Sequence, residues 1–90
     1  MIVSLEEMKK YLRVDFSDDD EFISNALEFS EKLCADIARL TAEEFESKQP
    51  AKIAVMYAVA YLYEHRENAD YKALTLSLRS LLFSIRQEEF

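Results

Sequence analysis

The sequence predicts an all-α fold, a small bundle of about four helices: a short N-terminal helix, a long helix, an apolar helix and a C-terminal helix. Three observations carry that prediction. Apolar residues recur at three- and four-residue steps through most of the chain, which is the period of a helix face. Glycine is absent and Pro50 is the single proline, so the tight glycine turns of β-hairpins cannot be built in the usual way. Helix-start signals stand ahead of the periodic runs. Ninety residues make one domain, 1–90.

The first helix is expected from about Leu5 to Leu12. Ser4 and Glu7 match the S-x-x-E capping box, in which each side chain satisfies the other's free backbone N–H. Val14-Asp15-Phe16 is a short link. A second helix is expected from about Asp18 to Leu40. Ser17 or Asp18 can cap it, and Asp19, Asp20 and Glu21 then fall in the first turn, where the helix dipole favours negative charge. Phe22, Ile23, Ala26, Leu27, Ser30, Leu33, Cys34, Ile37 and Ala38 form one broad apolar stripe. Thr41 to Gln49 is polar and acidic around one Phe45, and reads as a loop with room for a helical turn at 42–46.

Pro50 suits the first turn of a third helix, expected from about Ala51 to Glu67. Between Ile53 and Tyr63 it reads IAVMYAVAYLY, with no polar face. Its length and its alanines favour helix over a buried strand. Such a helix must be covered on every side, so one side is expected to face another chain. Asn68 to Tyr71 is a turn. The last helix is expected from about Lys72 to Gln87, with Leu74, Leu78, Leu81, Leu82 and Ile85 as its stripe. Leu76 and Phe83 lie off that stripe.

Charge is unevenly placed. Residues 1–50 hold 6 Lys/Arg and 13 Asp/Glu, net −7, whereas residues 51–90 hold 5 of each. DNA affinity comes largely from Lys and Arg neutralising phosphates, so a chain without a basic stripe is not expected to bind DNA tightly. One cysteine, Cys34, cannot form an internal disulfide, which fits a reducing compartment. The start, MIVSLEEMKK, has acids where a signal peptide has basic and then apolar residues. The uncharged run from Ile53 to Tyr63 falls well short of the ~20 residues of a membrane span. A soluble intracellular protein without a membrane partner is expected.

The cluster YLYEHREN, residues 61–68, holds the only histidine and invites a catalytic or metal reading. The spacing argues against both. Di-metal carboxylate bundles use Glu-x-x-His, and here Leu62 stands three before His65. The H-E-x-x-H motif needs a second histidine. Glu64 and His65 are adjacent, and adjacent helical residues do not face each other. In DFSDDDEF, an EF-hand count from Asp15 puts Asp20 where glycine belongs and Ala26 where glutamate belongs. No catalytic residue, metal ligand or cofactor is expected. The cluster reads as the polar end of a buried helix. Tyr63 and Arg66 are its expected packing residues, with Arg66 pairing to a carboxylate of the second helix. Tyr57 and Tyr61, with Leu76 and Phe83, are the candidate subunit interface, since an apolar ring with a polar tip suits such a surface.

The order and spacing of SLEEMKKYLRVDFSDDDEFISNALEFSEKL, KIAVMYAVAYLYEHREN and LRSLLFSIR resemble the head–tail connector (adaptor, DNA-packaging) proteins of tailed phages and prophages. The matching elements are Leu5 to Asp15, the acid-capped second helix, Tyr63 to Arg66, and Leu81-Leu82 with Arg86. Members often carry a glycine turn after the long helix, where this chain has IARLTAEEFESKQ. The resemblance implies a structural protein and no enzyme. It implies self-assembly into a ring that matches portal symmetry, contact with the portal and with a tail-completion protein, and a channel through which DNA passes without tight binding. It places the protein in the host cytoplasm during assembly and then in the virion neck. Leu81, Leu82 and Arg86 join Tyr63 and Arg66 as expected packing residues. The competing reading is a small acidic interaction domain, such as an antidote or regulator, that binds a basic partner through its first half.

Overall fold

A computed structural model describes residues 2–83, and within them the chain forms five α-helices and no strand. The first, α1, spans Leu5–Leu12. Its capping box is complete: Ser4 Oγ accepts the Glu7 N–H at 3.0 Å and Glu7 Oε1 accepts the Ser4 N–H at 3.2 Å. The long helix α2 spans Asp20–Ala38, starting two residues later than expected. Neither Ser17 nor Asp18 caps it. Asp19 holds the N-cap position, yet its side chain makes no cap hydrogen bond because it is engaged across the fold.

Both helices end on an arginine in the left-handed region, Arg13 at φ 60° and Arg39 at φ 59°. In each case the next N–H reaches back five residues, Val14 to the Lys9 carbonyl at 2.9 Å and Leu40 to the Ala35 carbonyl at 3.0 Å. That is the Schellman motif, whose left-handed residue is ordinarily glycine. A residue with a Cβ in this region costs roughly 1–2 kcal/mol. Glycine would relieve that strain but add roughly 0.4–1 kcal/mol of unfolded-chain freedom. Arg39→Gly is therefore expected to stabilise the fold by about 0.5–1 kcal/mol. A urea midpoint below that of the parent would overturn the assignment.

The segment expected as a loop contains a true short helix, α3, Ala42–Glu46. The reason is a second capping box: Thr41 Oγ1 accepts the Glu44 N–H at 3.2 Å and Glu44 Oε1 accepts the Thr41 N–H at 3.0 Å. The lone apolar residue of this stretch, Phe45, is fully buried. A five-residue helix has no stability of its own, so Phe45 in the core is what holds it.

The apolar helix α4 spans Gln49–Glu64, with Pro50 in its first turn. It ends three residues short of the expected Glu67. At His65 the backbone leaves the helix, and the Tyr61 hydroxyl accepts the Asp70 N–H at 2.9 Å, closing the turn to the next helix. That helix, α5, spans Tyr71–Leu82, and Asp70 caps it by accepting the Ala73 N–H at 3.0 Å. The expected continuation through Ile85 to Gln87 lies outside the described residues.

The core lies where α2, α4 and α5 pack together, with α1 and α3 closing it. Ala26, Ala35 and Ala38 of α2 and Ala51, Ala54 and Ala58 of α4 are all buried, and small side chains let helix axes approach closely. Leu27, Val55, Val59, Leu74, Leu78 and Leu82 fill the space between. The chain covers α4 on one side only: Ile53 is 65% exposed and Tyr57 is 40% exposed. No helix among the described residues is long and apolar enough to cross a membrane.

Candidate functional site

The end of α4 and the start of α2 meet in one polar cluster. Tyr63 stands in the last turn of α4, and Arg66 lies just beyond its end. Both reach Asp19, 44 and 47 residues earlier. The Tyr63 hydroxyl donates to Asp19 Oδ2 at 2.7 Å, and Arg66 donates to Asp19 Oδ1 at 2.9 Å. The Arg66 guanidinium also lies over two rings, 4.5 Å from the Tyr63 centroid and 5.2 Å from that of Phe22. A cation over aromatic faces gains from their quadrupoles, so the site holds Arg66 by charge and by stacking.

The titration behaviour follows this geometry. The Tyr63 hydroxyl and then Arg66 hold the Asp19 carboxyl below its ordinary value of 3.8. The same carboxylate raises the Tyr63 phenol and the Arg66 guanidinium. Asp20 meets Lys9 of α1 at 2.7 Å, and Glu7 of α1 pairs with Lys52 of α4. Charge pairs thus tie the N-terminal segment to both long helices.

His65 does not take part in the Asp19 cluster. Its ring stacks on Tyr61 with centroids 4.2 Å apart, and its Nδ1 lies 2.9 Å from the Tyr61 carbonyl, which accepts. Among the described residues no three His, Cys, Asp or Glu side chains converge as metal ligands would. Cys34 is fully buried, and burial, aided by the Glu31 charge, pushes its thiol up to about 12. Only a thiolate is a good nucleophile, so this thiol is an inert core residue at neutral pH.

The other candidate residues fall in different surroundings. Leu82 is fully buried, but Leu81 is 39% exposed, because the turn of the helix carries it off the Leu74–Leu78–Leu82 stripe. Arg86 lies outside the described residues. Of the candidate interface residues, Tyr57 is exposed, and Leu76 and Phe83 are more so at 55% and 71%. Tyr61 is partly buried, and its polar tip is spent within the chain, on Asp70.

Beside the Asp19 cluster runs a groove of about 230 Å³ between α2 and the α4–α5 turn. Phe22, Asn25 and Phe29 line one wall, and His65, Arg66 and Tyr71 line the other. Phe29 and Tyr71 meet edge to face with centroids 6.1 Å apart. Asp19 was not singled out in the sequence, because it is one of three consecutive aspartates and only the packing of α4 selects it. The Thr41-x-x-Glu44 box was a readable signal of the same form as Ser4-x-x-Glu7.

Comparison with known proteins gives one match. A family model described as phage gp6-like head-tail connector protein matches residues 2–88. No curated protein and no solved structure matches the chain.

Proposed function

Because the chain belongs to the phage gp6-like head-tail connector family, we propose that it assembles as a ring below the portal, extends the DNA channel and joins head to tail. The family match over residues 2–88 carries this reading. The family is structural, and its members work by assembly with other phage head and tail proteins. Here the partners are further copies of the chain, the portal and a tail-completion protein.

The surface supports a role in assembly. Ile53, Tyr57, Leu76 and Phe83 are large apolar side chains that one copy leaves in water. The formal charge of −7 suits a channel wall, since a subunit without a basic stripe does not grip passing phosphates. The same charge makes copies repel one another, and that repulsion is screened beyond ~8 Å at physiological salt.

Light scattering on the purified chain is expected to reveal association that strengthens with concentration and with added salt. Electron microscopy of the chain mixed with portal is expected to reveal a ring. A monomer at high concentration and high salt, with no ring on the portal, would overturn the reading. Binding of a basic protein through residues 15–46 in place of self-association would favour the acidic regulator.

A further inference from the structure

The helix α5 carries two unlike surfaces at its two ends. At its start Tyr71, 56% exposed, borders the aromatic groove with Phe29 of α2, 46% exposed. At its end Phe83 projects, 71% exposed, on the same outward face as Leu76. The span from residue 71 to residue 83 is about 18 Å of helix at 1.5 Å per residue. One end is a recess and the other is a knob.

The two ends also differ in charge. Around the knob, from Leu76 to Phe83, the chain holds Arg79 and no acid, net +1, whereas Lys72 sits at the recess end beside Tyr71. Along α2 it holds Asp20, Glu21, Glu28, Glu31 and Asp36 against Lys32, net −4. Glu21 and Glu28, both exposed, stand one turn either side of Asn25, which lines the groove. Arg66 is the cation within the groove, and it is already paired with Asp19.

We infer that these two surfaces are the two halves of one contact between copies. Phe83 and Leu76 of one copy seat in the aromatic groove of the next, and Arg79 faces its Glu21–Glu28 edge. The inference rests on the connector reading and gives its ring a specific joint. A contact between unlike patches leaves each copy with one surface to offer and one to accept. Such a head-to-tail contact propagates, and it closes into a ring when the rotation per copy allows. A like-with-like contact would stop at a dimer. At contact range the opposite charges still attract when salt has screened the repulsion between whole subunits.

Cysteine cross-linking tests the joint without removing its apolar groups. Asn25→Cys and Ser80→Cys place thiols beside the groove and beside Phe83, each at an exposed position. Both are made in a Cys34→Ala chain, purified separately, checked for helical content, mixed and oxidised with copper phenanthroline. A disulfide dimer that forms in the mixture and not in either variant alone supports the inference. Cross-links within either variant alone overturn it, since they report like-with-like contact. Association by light scattering without the mixed cross-link also overturns it and leaves the connector reading standing. A parent chain that stays monomeric overturns both. In the native chain, Phe83→Asp is expected to raise the concentration for half-maximal association at least about tenfold, as for an aromatic hot spot. An unchanged concentration overturns the joint.

Discussion

Phe45→Ala is expected to cost about 3–5 kcal/mol of folding free energy, the usual range for truncating a buried aromatic ring. A chain of this length has roughly 5–13 kcal/mol in all at 0.05–0.15 kcal/mol per residue. One side chain in a five-residue helix would then carry a large part of the total. The reason is that Phe45 is fully buried while every other residue of α3 is exposed. Without the ring, α3 keeps its capping box but loses its anchor in the core, which is left with a cavity. Urea denaturation followed by circular dichroism measures the effect. Phe45→Leu should fall between the parent and the alanine variant. A cost under about 1 kcal/mol would mean that the ring is not seated where the structure places it.

Asp19→Asn is expected to lower the melting temperature at neutral pH more than Asp18→Asn, at an exposed position one residue earlier. The substitution removes the charge that Arg66 faces and weakens the acceptor of the Tyr63 hydroxyl. The pH dependence gives the decisive signature. The folded Asp19 carboxyl titrates below its ordinary 3.8, so its contribution is fully present above that value. It is lost as pH falls through the lower folded value, where both states bind the proton. Parent and Asp19→Asn are therefore expected to differ at pH 7 and to converge as pH drops below about 3.8. A gap that stays constant down to acid pH would exclude the ion pair as its source. Glu7 and Glu44 are lowered as well, Glu7 mainly by Lys52 and Glu44 by the Thr41 N–H, so the parent should lose stability in acid through all three.

Much of the fold is legible from local chemistry. The residues of α1 follow from Ser4, Glu7 and the apolar period, because a capping box acts within one turn and needs nothing from the rest of the chain. Within the described residues the stripes of α2 and α5 follow in the same way, apart from Ala35, buried though not expected, and Leu81, expected though exposed. What is not legible depends on residues far apart in sequence. The start of α2 differs because Asp19 is drawn to Tyr63 and Arg66. The end of α4 differs because Tyr61 serves Asp70 and the chain turns at His65. Neither residue type announces this, since aspartate before a helix ordinarily caps it. The left-handed arginines are hidden for another reason. Glycine is the usual signal for that backbone, and this chain has none.

Of the polar contacts in the molecule, the caps at Ser4, Thr41 and Asp70 each reach three residues, whereas the Asp19 cluster spans 44 and 47. This difference sets an order in time. Helical turns with their caps form in about a microsecond or less, before any distant pairing. A tie across some 47 residues must first close that loop, so it is expected to form late, after the transition state. A contact absent from the transition state acts as a latch on the finished molecule: losing it speeds escape and leaves arrival unchanged. In the Asp19→Asn chain the unfolding rate should therefore rise while the folding rate holds. The residue would then govern how long a subunit stays folded, which is what matters to a part waiting to be built into a particle.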